Sequence, residues 1–136
     1  MENSSATRSF ERWLDSFINF EKLPQKNMFW LDTMHFFCER LGHPEASSPC
    51  FHIAGSKGKG SVSKMIACIL QEAGFSVGLY TSPHVLDFRE RISRPDGFFD
   101  DAVYEGAAAE LMHAVQSAEN EKKIPRPVTW FELTTL

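Results

Sequence analysis

The residues best suited to chemistry stand just after position 52, where Gly55, Gly58 and Gly60 fall within six residues and Lys59 sits among them. Glycines let a backbone turn tightly and bring its N–H groups close to phosphate oxygens. A helix that starts at the same place aims its positive end at the anion. Lys59 adds a full charge there, and Ser56, Lys57 and Ser61 supply further polar groups. The spacing departs from the usual GxxxxGK loop, which would need glycine where Ile53 stands. The hydroxyl also comes one place late, at Ser61, because Gly60 follows the lysine. An ordinary strand-to-helix turn with an exposed lysine is the plain alternative.

Other chemistries find less support. His35, His43, His52, His84 and His113 contain no HExxH spacing. Cys38, Cys50 and Cys68 are odd in number and contain no CxxC pair, so they read as small buried hydrophobes and not as a disulfide or zinc framework. A formal charge of -4 and a pI near 5.7 argue against a protein that holds nucleic acid through phosphate neutralisation. The longest apolar runs, such as Met65 to Leu70, are far shorter than the roughly 20 residues that cross a bilayer. The polar start Met1 to Ser9 lacks a signal-peptide core, which predicts a cytoplasmic protein with no membrane partner.

Elements must position this loop. With 136 residues, 43% hydrophobic and 24% charged, the chain reads as one globular unit or a piece of a larger one. Apolar residues at Phe10, Trp13, Leu14, Phe17 and Ile18 predict a helix that Pro24 ends. Trp30, Leu31, Met34, Phe37, Cys38 and Leu41 predict a second, closed by Gly42. Cys50 to Ala54 reads as a strand leading into the glycines. Val62, Met65, Ile66, Ile69, Leu70 and Ala73 then predict a helix closed by Gly74, followed by a buried strand over Ser76 to Thr81.

Strand, helix and strand in that order predict a right-handed βαβ unit with a parallel sheet, hence an α/β fold. Ser82 to Phe99 reads as a long loop, and Asp100 as the cap of a helix with its stripe at Val103, Ala107, Leu111, Ala114, Val115 and Ala118. Pro125 and Pro127 precede a last apolar run, Val128 to Leu136, which reads as an element cut short. The expected organisation is a helical lead-in over 1–48, the βαβ unit over 49–82, a substrate loop and helix over 83–119, and the final element over 128–136.

The segment His52-Ile-Ala-Gly-Ser-Lys-Gly-Lys-Gly-Ser61 resembles the nucleotide-binding loop of the folylpolyglutamate synthase and dihydrofolate synthase family, part of the wider Mur ligase group. Gly78-Leu-Tyr-Thr-Ser-Pro-His84 with Phe88-Arg-Glu-Arg-Ile92 resembles that family's next signature, and Val128-Thr-Trp-Phe-Glu132 a third. Ser56-Lys57 departs from the Thr-Asn that members commonly carry, a change a backbone-driven turn tolerates. Gly60 favours the folate branch over the muramyl branch.

The resemblance implies a P-loop-type parallel sheet with flanking helices, the incomplete N-terminal part of a Mur-ligase-like ATP-binding domain. It implies an ATP-dependent ligase that joins L-glutamate to folate or to dihydropteroate through an acyl phosphate, a monomer when full length, and inactive as this piece alone. Gly55, Ser56, Lys57, Gly58, Lys59, Gly60 and Ser61 would hold ATP, with Lys59 on its β- and γ-phosphates. Ser82 and Glu132 match positions of Mg²⁺ ligands, and Ser82, Pro83, His84, Phe88 and Arg89 belong to the segment that meets the folate. From residue types alone, Ser82 reads as a cap or turn residue before Pro83, His84, Arg89 and Arg91 as surface or packing residues, and Arg89-Glu90-Arg91 as internal ion pairing. A non-catalytic nucleotide-binding module and a kinase-like phosphotransferase are the competing readings.

Overall fold

Residues 5–20 and 31–136 are described by the computed structural model. The helices among them are α1 (Ser5–Leu14), α2 (Asp32–Arg40), α3 (Lys59–Glu72), α4 (Asp101–Asn120) and α5 (Trp130–Thr135), and the strands are β1 (Leu79–Tyr80) and β2 (Ile92–Ser93). They divide into two compact units, one holding α1, α2, α4 and α5, the other residues 50–100. The first helix ends at Leu14, short of the expected extent: Phe17 and Ile18, expected on its apolar face, lie beyond it, with Ile18 drawn into a bridge to Thr129, while Pro24 and the start of the second stripe at Trp30 lie outside the described residues. No described helix is long and apolar enough to cross a membrane.

In the first unit, the α4 stripe does what its period predicts over its second half. Leu111, Ala114, Val115 and Ala118 are buried, whereas Val103 near the start is about half exposed. α1 packs against α4 and buries Leu14 completely. Burying a leucine or valine side chain stabilises by about 1.5–3 kcal/mol, so these few residues set the α1–α4 pairing. α2 buries Phe37 and Thr33 and stops at Gly42, whose φ of 76° is open to glycine without a Cβ clash. The Gly42 N–H donates to Glu39 O at 3.2 Å and the His43 N–H to Cys38 O at 2.7 Å, which satisfies two end carbonyls.

The far end of α4 is tied to α2. Arg40 Nη2 donates to Ser117 Oγ at 2.8 Å and pairs with the Glu121 carboxylate, which Lys123 also approaches at 2.9 Å. The last apolar run forms α5, burying Val128, Trp130, Leu133 and Thr134. Its entry is fixed by a parallel bridge between Ile18 and Thr129, with the Trp130 N–H donating to Ile18 O at 2.9 Å.

The second unit departs from several expectations. Cys50 to Ala54 forms no strand, Phe51 is exposed, and so is Cys50, which was expected to be buried. The second expected strand contracts to Leu79–Tyr80 and pairs antiparallel with β2, Leu79 opposite Ser93 and Tyr80 opposite Ile92. The parallel pairing expected of a βαβ unit is therefore not made between these two segments. Parallel strands need neighbours and helices on both faces of the sheet, and residues 50–54 find no pairing partner among the described residues. For the same reason the expected apolar face of α3 is largely open: Ala67 is buried, but Val62, Met65 and Ile69 are exposed. The helix itself ends as predicted, with Gly74 at φ 88° and the Phe75 N–H donating to Leu70 O at 3.1 Å.

The segment expected to be a featureless loop, Ser82 to Phe99, carries a 3₁₀ turn at Phe88–Arg91 and then β2. Arg94 and Gly97 close a tight turn beyond it, and Lys64 Nζ on α3 donates to Pro95 O of that turn at 2.6 Å.

Candidate functional site

The glycine loop meets the N-terminus of α3 as its residue types predict. Gly58 is the capping residue with φ 75° and ψ 0°, a left-handed conformation that a side chain would strain. Lys59 is the first helical residue. The first rung of the helix ladder on this turn is the Val62 N–H to Gly58 O at 3.0 Å, so the amides of Lys59, Gly60 and Ser61 stand ahead of it at the helix mouth. No acidic side chain occupies this first turn, and residues 54–62 are all exposed. Lys59 bends back, its Nζ donating to Gly55 O at 2.8 Å, which lays the ammonium along the loop's own backbone. Donors, dipole and cation of one sign converge on one exposed turn, the requirement for an anion site.

The segment after β1 is fixed by its own side chains. Ser82 precedes a cis peptide bond to Pro83 and is exposed, as is Pro83. His84 is half-buried, its ring edge-on to Phe88 with centroids 6.1 Å apart and its Nδ1 accepting from Arg91 Nε at 2.8 Å. Phe88, Arg89 and Arg91 are buried. Arg89 grips Asp87 with Nε to Oδ1 at 3.1 Å and Nη2 to Oδ2 at 2.7 Å, and its guanidinium lies 4.7 Å from the centre of the Phe98 ring. The hydrogen bond from Arg89 holds the Asp87 carboxyl below the usual range. The ion pair of this stretch is thus Arg89 with Asp87, not the local Arg-Glu-Arg pairing expected. Phe88 and Arg89, expected on the substrate side, are packed inside the unit.

Glu90 has a separate task. Its Oε2 accepts from the Val85 N–H at 2.7 Å, and its Oε1 from the Leu86 and Asp87 N–H groups at 3.0 Å each. Those backbone bonds, that of Val85 foremost, lower its pKa. Glu132 is used alike in the first unit. Its Oε2 accepts from the Thr129 N–H at 2.8 Å and Oγ1 at 2.7 Å, while Thr129 caps α5. Glu90, Asp87 and Thr129 were not among the expected site residues. The signal was there: Asp87-x-x-Glu90 and Thr129-x-x-Glu132 both carry the spacing of a capping box.

Of the expected site residues, Gly55 to Ser61 form one continuous turn and Ser82, Pro83 and His84 one further segment of the same unit, whereas Glu132 belongs to the first unit. Taken singly, Ser82 and Glu132 each carry the oxygen donors that a hard cation prefers, the Ser82 hydroxyl exposed and Glu132 Oε2 accepting from the Thr129 amide and hydroxyl.

Comparison with known proteins gives a consistent picture, although no family model matches the chain. It is 51% identical over 63 residues to a dihydrofolate synthase/folylpolyglutamate synthase of Bacillus subtilis, covering 46% of this chain and 15% of that protein. It is 33% identical over 116 residues to the enzyme of the same name from Buchnera aphidicola, covering 85% of this chain and 26% of that protein. A solved folylpolyglutamate synthase in complex with AMPPCP and folate superposes with a TM-score of 0.77 at 28% identity, covering 98% of this chain and 30% of the other. The α/β class read from the sequence agrees with that likeness. The chain thus spans about a quarter or less of the length of these two relatives, and over that span its sequence and fold are those of the folylpolyglutamate synthase/dihydrofolate synthase family.

Proposed function

We propose that the chain forms the nucleotide-binding part of an ATP-dependent ligase that adds L-glutamate to a folate or to dihydropteroate. The observation that carries this reading is the turn at Gly58, where a left-handed glycine, three leading amides and Lys59 share one helix mouth. A carboxylate is a poor electrophile. In the proposed reaction the γ-phosphoryl group of ATP passes to the substrate carboxylate, giving an acyl phosphate and ADP. The glutamate amine then attacks the carbonyl carbon, inorganic phosphate leaves with the C–O bond, and the amine loses a proton as the amide forms.

Both steps build negative charge on phosphate oxygens, and fixed donors in a site shielded from water lower that barrier. Gly55 to Ser61 bind and orient the phosphates through backbone N–H groups, and Lys59 leaves the Gly55 carbonyl for the β- and γ-phosphates. By the resemblance, Ser82 and Glu132 are each candidate ligands for Mg²⁺, which when bound would neutralise charge on the phosphate oxygens. Ser82, Pro83 and His84 lie on the segment that meets the folate.

The test is a product assay on a full-length protein that contains this chain, with ATP, isotopically labelled glutamate and a folate. A folate heavier by one labelled glutamyl group, formed with equal amounts of ADP and phosphate, is the expected result. Phosphorylated folate without glutamate would instead assign a phosphotransferase. ATP binding without either product would assign a nucleotide-binding module.

A further inference from the structure

From Ala46 to Gln71 the chain has no aspartate or glutamate, and within that stretch stand Lys57, Lys59 and Lys64. The unit of residues 50–100 carries six lysines and arginines against five acids, in a chain whose formal charge is -4. Its acids do not pair with these lysines. Asp87 is held by Arg89, and Asp96 lies 3.5 Å from Arg94. Lys59 and Lys64 donate to neutral carbonyls, those of Gly55 and Pro95, which fixes each ammonium without cancelling its charge. Lys57 differs from both. It is exposed on the turn between Gly55 and Gly58, and its side chain makes neither a hydrogen bond nor an ion pair among the described residues.

An exposed ammonium that bonds to nothing in the protein contributes little to the fold. Its field, added to those of Lys59 and the α3 amides, acts on an anion before contact is made. We propose that Lys57 steers the nucleotide: its charge speeds the encounter of a polyphosphate with the turn, while Lys59 and the backbone N–H groups hold it once it has arrived. This rests on the reading above that the turn receives the phosphates of ATP. Steering and holding separate by rate and by salt. Charge at the rim of a site changes the association rate and its salt dependence, whereas a fixed contact changes dissociation. Long-range attraction is screened over about 8 Å at physiological ionic strength, and a close, partly desolvated contact is screened much less.

The experiment is stopped-flow binding of a fluorescent AMPPCP with Mg²⁺ to a full-length protein that contains this chain, at about 20 mM and about 0.5 M ionic strength. The unaltered protein is compared with Lys57→Gln, Lys57→Glu and Lys57→Arg. At low salt, Lys57→Gln is expected to lower the association rate constant by about threefold and Lys57→Glu by about tenfold, with dissociation within about twofold. At high salt the variants should converge on the unaltered protein. Lys57→Arg keeps the charge and should keep the rate. An association rate that Lys57→Glu leaves unchanged at low salt overturns the proposal. A loss that appears in dissociation and persists at high salt overturns it as well, because Lys57 would then hold the phosphates and not steer them. In both cases the nucleotide reading stands. If the unaltered protein takes up no AMPPCP, that reading fails and this inference fails with it.

Discussion

His84 accepts a hydrogen bond from a buried arginine: Arg91 Nε lies 2.8 Å from His84 Nδ1, and Arg91 has no solvent exposure. The Nδ1 lone pair thus faces a guanidinium that can only donate. Sequence spacing alone presents His84 as a surface or packing residue; its partner seven positions on makes it part of the unit's internal bonding.

His84→Ala removes this acceptor from a buried charged group. The expected cost is about 1–3 kcal/mol of stability, measured by urea unfolding, because a desolvated donor loses a charge-assisted bond. His84→Asn, which keeps an acceptor in reach, should recover part of the loss. Equal stability of His84→Ala and the unaltered chain would show that the bond contributes nothing.

Lys122 ends α4 at φ 55°, a left-handed conformation for a residue with a Cβ. Its N–H donates to Glu119 O at 3.0 Å and that of Lys123 to Ala118 O at 3.2 Å, the pattern Gly42 and Gly74 make elsewhere. Lys122→Gly relieves the steric cost and should raise stability by about 0.5–1 kcal/mol, visible as a higher melting temperature. A lower melting temperature would contradict this account of the helix end.

Acid should weaken the tie between α2 and α4. Hydrogen bonds from Arg40 first, then from Lys123, bring the Glu121 pKa down from the usual 4.5 to about 2. A carboxyl whose folded pKa is depressed stabilises the fold above its unfolded pKa, and this is lost as pH falls from about 4.5 to about 2. The pair is partly exposed, so solvent screens it and the effect is modest. Melting temperature followed over that window should fall less steeply in Glu121→Gln than in the unaltered chain. Parallel curves would mean that the pair is silent.

Much of this was legible in the chain before any coordinates. The stripe from Leu111 to Ala118 gave α4, Gly42 and Gly74 gave two helix ends, and the glycines around Lys59 gave the turn that starts α3. Those signals are local, set by a residue's own conformational range or by a 3.6-residue period. What the residues could not announce depended on partners distant in sequence. Cys50 to Ala54 has strand composition, but a strand exists only if another pairs with it, and here β1 pairs with β2. The clamp made by Glu90 was readable in principle from Asp87-x-x-Glu90, yet its reach back to Val85 and Leu86 depends on how the backbone turns after Pro83. Arg89-Glu90-Arg91 read as pairing within itself because burial of its cations depends on Asp87, His84 and Phe98 being folded around them.

In the proposed function, Lys59 and the amides beside it receive a nucleotide's terminal phosphates. The most direct measurement is a calorimetric titration of the chain with AMPPCP and Mg²⁺, repeated on Lys59→Ala. Lys59 is exposed, and its bond inside the protein is to Gly55 O, so the variant should fold as before. Affinity is expected to fall by about tenfold or more, the weight of one charge-assisted contact to phosphate. Equal affinities in the two proteins would contradict the assignment of this turn as the nucleotide site.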